Sequence, residues 1–516
     1  MQLVRSIATV GGWTMTSRVL GFVRDVLIAQ ILGAGMVADA FFIAFKFPNL
    51  FRRLLGEGAM NAAFVPLYAR RLEGDGKDAA DAFAADVASV LTAWTLVLSV
   101  IAMAAMPWIM TVQAAGFLDQ PEKFNLTVEL ARITFPYLLF MVLSAMMSGM
   151  LNSVGKFAAA AAAPVILNLV FITTLVLIHR HVLTLPGHAL AVAVAIAGAL
   201  QFAMLAHACH KADIMVPLPL PKLTPGVKRL LLLMAPGILG AGVVQINVMV
   251  GDLLATLLRQ GSVSFLYYAD RVNQLPLGVV GVAVGVALLP LLSRQLRAGE
   301  HRAAMYSMNR AIEVTLLLTL PAATALIAIP WPIVSTLFER GAFTTEAALA
   351  TSEALRAYAI GLPAFVLIKA LTPGFFARED TRTPVKVAIG AVALNLILAV
   401  TLMQAFAHVG IALATSISAW ANAGLLAFLL HRGGHFEPDS RLVRSVPRIL
   451  LAAIVMAAVL WMGGDVLADW FQGGFARKLL ALAGLVLAGV ILFFGLAQLV
   501  GGTDLREVAR QLRRRR

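Results

Sequence analysis

The sequence predicts an all-α polytopic membrane protein of about fourteen transmembrane helices, with two parallel six-helix repeats around a central cavity and two extra C-terminal helices. Three observations carry that expectation. Of 516 residues, 60% are hydrophobic and only 13% charged, a balance that a water-facing surface of this size cannot use. Mostly apolar stretches of span length, about 20 residues, recur along the chain between short polar or Pro/Gly-bearing loops. Short patterns from the first half also return in the second at a nearly constant offset.

Taken in order, the spans fall near 7–32, 35–55, 83–110, 125–150, 157–178, 188–209, 228–257, 263–292, 311–338, 350–376, 384–406, 408–430, 445–468 and 476–500. The first carries Arg18, Arg24 and Asp25, which a cleavable signal peptide would not, so it is expected to remain as a span. Pro48 sits within the second and should kink it. A lone Cys209 excludes a disulfide framework and a cysteine-built metal site.

The net charge of +14 would suit nucleic acid, but its placement suits a membrane. Starting from a cytoplasmic N-terminus, most basic residues fall inside, from Arg5 through Arg70, Arg71, Lys156, Lys222, Arg229, Arg294, Arg378 and Arg441 to the tail arginines ending at Arg516. Lys123, Arg180, Arg259, Arg340, Arg477 and Lys478 fall outside. That asymmetry obeys the positive-inside rule and puts both termini in the cytoplasm. The tail is then a topological signal or an anionic-lipid contact, and no nucleic acid is expected as partner.

Pro136 and Pro363, like Asn168 and Asn395 within their Leu-Asn-Leu triplets, are separated by 227 residues, and the stretch from Pro66 resembles that from Pro290 at an offset of 224. Each unit holds an even number of spans, so the repeats enter from the same side and are parallel, an arrangement in which transporters place substrate between the halves. The expected organisation is an N-terminal lobe at 1–227, a C-terminal lobe at 228–440, two additional spans at 441–502 and a basic cytoplasmic tail at 503–516.

Charges within spans cost about 2.5–3.5 kcal/mol each on insertion scales, so those present should face a bundle interior or a wet cavity. Ser17, Arg18, Gly21, Arg24 and Asp25 return to one helical face, and Asp39, Lys46 and Arg53 follow the same spacing, with Asn49 and Arg52 beside them. Asp25 reads equally as a neutraliser of a neighbouring arginine, and Arg52 and Arg53 as snorkelling to the interface. Arg18 lies about 15 Å from one end of its span and Arg24 about 12 Å from the other, too deep for that. In the second repeat Tyr267-Tyr268-Ala269-Asp270-Arg271 puts Arg271 about 13 Å deep, so that Arg24 and Arg271 form an expected anion clamp. Asp252, a carboxylate within the seventh span, could bind a proton or monovalent cation with Asn395 and Thr415 supplying neutral oxygens, or pair with a basic residue from elsewhere. The chain has no H-E-x-x-H, no G-x-x-x-x-G-K and no nucleophile elbow, and calls for neither cofactor nor metal.

The stretch from Ser17 to Asp25, Ala38-Asp39-Ala40-Phe41-Phe42, Phe47 to Leu54, Glu57-Gly58-Ala59 and Ala63-Phe64-Val65-Pro66 resemble the MurJ (MviN) family of lipid II flippases, and Tyr268-Ala269-Asp270-Arg271 is similar to that family's eighth-span motif. The resemblance implies the multidrug/oligosaccharidyl-lipid/polysaccharide exporter fold. It also implies a bacterial inner-membrane protein that carries an undecaprenyl-pyrophosphate-linked disaccharide-peptide from the inner to the outer leaflet. On that resemblance Arg18, Arg24, Asp39, Arg52, Arg53, Asp270 and Arg271 match the family's functional charged residues, with Ser17, Asp25, Lys46 and Asn49 as further cavity candidates. Lipid II, membrane lipids and the cell-wall synthesis machinery are the implied partners; coupling to the membrane potential or a monovalent cation rests on the reading of Asp252 alone. A flippase for another lipid-linked oligosaccharide is the alternative. An integral-membrane enzyme of polyprenyl-phosphate metabolism would need the catalytic constellation that is missing here.

Overall fold

Hydrocarbon offers no partner to a backbone N–H or C=O, so so apolar a chain must satisfy those groups within helices or a closed barrel. In the structure, a computed structural model that describes residues 2–54, 60–214 and 216–502, every regular element among the described residues is helical. The Glu57-Gly58-Ala59 stretch and the tail arginines from Arg506 lie outside those residues. The chain divides into two compact units, Met1–Ser264 with Arg340–Phe343 and Phe265–Glu339 with Thr344–Arg516.

The first unit is built from α1 (Gln2–Leu32), α2 (Met36–Phe51), α3 (Asn61–Gly74), α4 (Lys77–Ala104), α5 (Met106–Gln113), α6 (Pro121–Thr134), α7 (Tyr137–Ser153), α8 (Phe157–His179), α9 (Pro186–Lys211) and α10 (Pro225–Thr256). Within it α8 packs on both α1 and α9, α2 on α6, and α7 on α9. Prolines punctuate the helices. Pro107 opens α5, Pro121 opens α6, and α6 gives way to α7 at Phe135-Pro136. Pro48 lies within the last turn of α2, beyond which Arg52–Leu54 take the wider π winding. The return segment Arg340–Phe343 belongs to this unit because the Ala342 N–H donates to the Gln30 carbonyl at 2.8 Å.

Next comes α11 (Ser262–Arg297), whose first residues belong to the first unit. The second unit continues with α12 (His301–Ala328), α13 (Pro330–Phe338), α14 (Thr345–Phe376), α15 (Arg382–Arg432), α16 (Ser440–Val466), α17 (Ala468–Phe471) and α18 (Phe475–Leu499). Helix α14 packs on α12 and α15. The last two long helices, α16 and α18, close a core of Ile449, Met456, Leu460, Leu485 and Phe493 that also takes in Leu317 and Ile329.

Among the described residues nine helices are long and apolar enough to cross a membrane, counting α6 with α7 together and α15 once. Its 51 residues would run about 76 Å as one straight helix, more than twice a bilayer's hydrocarbon thickness of about 30 Å. The helix is instead broken at Ala407 (φ 47°, ψ −131°), the residue between the spans expected at 384–406 and 408–430. Three residues on, Gly410 lies against the Leu402 carbonyl, where a side-chain carbon would strike backbone.

Ala407 holds a conformation that costs a non-glycine residue about 1–3 kcal/mol. Ala407→Gly is therefore expected to raise the thermal unfolding midpoint of the purified protein in detergent. Gly410→Val is expected to lower it, by overpacking worth about 1–3 kcal/mol. The opposite order of midpoints would show that the turn is not strained.

Candidate functional site

The charged face expected on α1 is assembled in the first unit by one amide from α8. Arg24 is buried, 8% exposed, and its Nε and Nη2 donate to Asp25 Oδ1 at 3.0 and 2.8 Å. Its Nη1 donates to Asn168 Oδ1 at 3.0 Å, and the guanidinium lies 5.5 Å from the Phe171 ring centroid. The other end of the same amide, Asn168 Nδ2, donates to the Ser17 carbonyl at 2.9 Å and to its hydroxyl at 3.3 Å. Asn168 thus ties Ser17 to Arg24 across the two turns that separate them. Asp25 is buried and neutralises Arg24, while Arg18 on the same helix is exposed.

On α2 the candidates part company. Asp39, 1% exposed, is held from three directions: Lys123 Nζ at 2.7 Å, the Gly261 N–H at 2.8 Å, and the Ser264 N–H and hydroxyl at 3.0 and 2.6 Å. Lys123, in the first turn of α6, is as buried as its partner and lies 4.0 Å from the Phe117 ring centroid. A lysine in a helix's first turn opposes the helix dipole, and the Asp39 carboxylate and the ring face compensate it. Two turns further along α2, Lys46 forms an ion pair with Asp252 of α10, the alternative in which that carboxylate takes a basic partner from elsewhere. Asn49 Oδ1 accepts from Arg52 Nε at 2.7 Å; Arg52 is half-buried and Arg53 exposed.

In the second unit Asp270 and Arg271 are both half-buried on α11. Gln274 donates to Asp270 one turn on, and the Arg271 guanidinium lies 4.8 Å from the Tyr267 ring centroid, with Tyr268 buried against Phe338. Asn395 is buried, and the half-buried Thr415 donates its hydroxyl to the Ile411 carbonyl at 2.9 Å.

The sequence reading missed two residues. Asn168 entered only as a marker of the repeat, although an amide within an apolar span already asks for a polar partner. Lys123, expected only to fall outside, is buried; the signal for its burial is Asp39 itself, a carboxylate in a span that needs a cation. Among the described residues no cluster of His, Cys, Asp and Glu could hold a metal ion. What the first unit offers chemically is a set of guanidinium groups graded in access, Arg24 locked, Arg52 intermediate, Arg18 and Arg53 exposed, suited to bidentate contact with phosphate oxygens.

The buried pair gives a direct test. Removing one partner of such a pair costs about 3–5 kcal/mol, because the other charge stays buried. Lys123→Met and Asp39→Asn should each lower the thermal unfolding midpoint, and the double variant should lose less than the sum of the two. Additive losses would mean that the two groups are energetically independent.

Comparison with known proteins agrees along the chain. The sequence profile of the family described as "Lipid II flippase MurJ" matches residues 28–481. The "Probable lipid II flippase MurJ" of Rhizobium meliloti (strain 1021) is 45% identical over 519 aligned positions, covering 100% of this chain and 97% of that protein. The "Lipid II flippase MurJ" of Burkholderia cenocepacia is 37% identical over 97% of this chain and 98% of that protein. Among solved structures, a lipid II flippase MurJ in an inward closed conformation superposes with a TM-score of 0.79 at 28% identity, over 95% of this chain and 98% of that one. An inward-facing multidrug resistance MATE transporter of the MOP superfamily superposes at 0.67 with 17% identity, over 83% of this chain and 98% of that one, and shares the fold alone. Profile, relatives and structure agree over nearly the whole length, and the chain belongs to the MurJ family of lipid II flippases.

Proposed function

We propose that this chain moves lipid II, the undecaprenyl-pyrophosphate-linked peptidoglycan precursor, from the inner to the outer leaflet of the bacterial inner membrane by alternating access. It is a transporter rather than an enzyme. The observation that carries the reading is the full-length match to lipid II flippases at 45% and 37% identity. The graded arginines of α1 and α2 support it, since a diphosphate with a long apolar tail is an anion that must be met inside a membrane. Arg18 and Arg53 make the first contacts, Arg52 follows, and Arg24, aimed by Asp25 and Asn168, holds the diphosphate. Asp39 acts at a distance, by holding α2 in place through Lys123 and the turn at Gly261–Ser264. The termini face the cytoplasm, and the cell-wall synthesis machinery receives the product.

Arginine chemistry gives the test. A hydrogen bond to a charged group contributes about 1.5–3 kcal/mol, roughly tenfold or more in affinity. Arg24→Ala should therefore lower lipid II binding and its appearance in the outer leaflet by about tenfold or more. Arg24→Lys, which keeps charge and loses the fork, should fall between. Arg53→Lys should be nearly silent. Wild-type flipping by Arg24→Ala at matched expression would assign the residue to the fold.

Energy coupling follows from the Lys46–Asp252 pair. We propose that Asp252 exchanges Lys46 for a proton or monovalent cation during the cycle. Asp252→Asn should then weaken the dependence of flipping on ion gradients and membrane potential, and Lys46→Met should leave that dependence in place while shifting its midpoint. Unchanged dependence in Asp252→Asn would remove this carboxylate from the coupling mechanism.

A further inference from the structure

At the end of the first unit where α3 stops and α10 begins, Arg70, Arg71 and Arg229 line a cavity of about 340 Å³ together with one carboxylate, Asp75, and with Leu67, Gly74 and Gly226. That volume reaches the range of small-ligand pockets, roughly 300–1,000 Å³. Arg71 is half-buried, with its guanidinium 3.9 Å from the Phe83 ring centroid, so the fork is fixed in place while its edges remain available as donors. Gly226 is what lets the start of α10 come so close, because a side-chain carbon there would meet both the Arg71 guanidinium and Phe83. The first turn of α10 opens with Pro225 and receives no side-chain cap from Thr224, so its N–H groups and the positive end of a 32-residue helix add to the arginines.

The pocket has more cation than its surroundings neutralise. Among the described residues no carboxylate forms an ion pair with Arg70, Arg71 or Arg229. Asp75, the one lining carboxylate, is exposed and leaves the three arginines with a surplus of positive charge, and Asp213 is taken by Lys77. The segment leading into α10 reads Pro-Leu-Pro-Leu-Pro-Lys-Leu from Pro217, and its Leu218, Leu220 and Leu223 are 61%, 81% and 59% exposed beside Lys222. Exposed leucines next to unpaired arginines make poor sense in water and good sense at a bilayer surface, where acyl chains take the former and phosphates the latter.

We propose that the Arg70–Arg71–Arg229 pocket binds the phosphate headgroup of an anionic membrane phospholipid, at a site separate from the arginines assigned to lipid II. The full-length protein in phosphatidylcholine nanodiscs, titrated with phosphatidylglycerol and read by native mass spectrometry, tests this. Wild type should retain one phosphatidylglycerol that survives mild activation, and Arg71→Gln/Arg229→Gln should reduce that affinity about tenfold or more. Arg432→Gln, an exposed arginine elsewhere, should change nothing. A second readout guards against misfolding: phosphatidylglycerol should raise the thermal unfolding midpoint of wild type, and fail to raise that of Arg229→Gln while its midpoint in phosphatidylcholine stays at the wild-type value. Retention of the lipid by the double variant at wild-type affinity would overturn the proposal. So would displacement of the lipid by millimolar inorganic phosphate, which would mark a site for soluble phosphate, or equal retention of phosphatidylcholine.

Discussion

A carboxylate or ammonium carried out of water loses several kcal/mol of solvation unless another group supplies charge and hydrogen bonds in return. The ion pair of Asp39 with Lys123 meets that requirement almost out of reach of solvent, the two side chains being 1% and 2% exposed. The carboxylate accepts four hydrogen bonds, two of them from backbone N–H groups of the Gly261–Ser264 turn. One side chain of α2 therefore fixes the start of α6 and the turn that leads into α11.

The same constraint shapes the rest of the first unit. Arg24 comes with Asp25, and Lys46 comes with Asp252, so cations within the helices arrive coupled to carboxylates. Each couple lowers the cost of insertion and fixes a side chain that would otherwise sample many rotamers. Arg18 and Arg53 differ from these by being exposed. Structural and functional charges on α1 and α2 are in this sense one population, separated by access.

Much of the architecture was legible because hydrophobic stretches and prolines act locally. The break of α15 at Ala407 falls between two expected spans, and α8 and α9 begin and end within two residues of expectation. Helix α3 was not anticipated, since Pro66, Arg70, Arg71 and Glu73 mask any apolar period in its 14 residues. The charged site was legible as a list and not as a set of partnerships. Lys46 and Asp252 are 206 residues apart, Asp39 and Lys123 are 84 apart, and nothing in either local sequence names the other. Asn168 shows the middle case: its recurrence at Asn395 was visible, while its task of bridging Ser17 to Arg24 depends on how α8 lies against α1.

Those partnerships also bear on how a carrier can let go of its cargo. An arginine with no internal partner would bind a diphosphate at the full strength of a desolvated charge pair, and a site that binds too strongly does not release. Arg24 donates to both Asp25 and Asn168, so an incoming diphosphate must displace or share acceptors that already satisfy the guanidinium. The gain on binding is then the difference between two good sets of hydrogen bonds, smaller than either, and the carboxylate is at hand to take the arginine back. If Arg24 holds the diphosphate as proposed, Asp25 does more than neutralise its neighbour: it orients the fork before the ligand arrives and competes for it afterwards, which keeps affinity within the range from which a transporter can turn over.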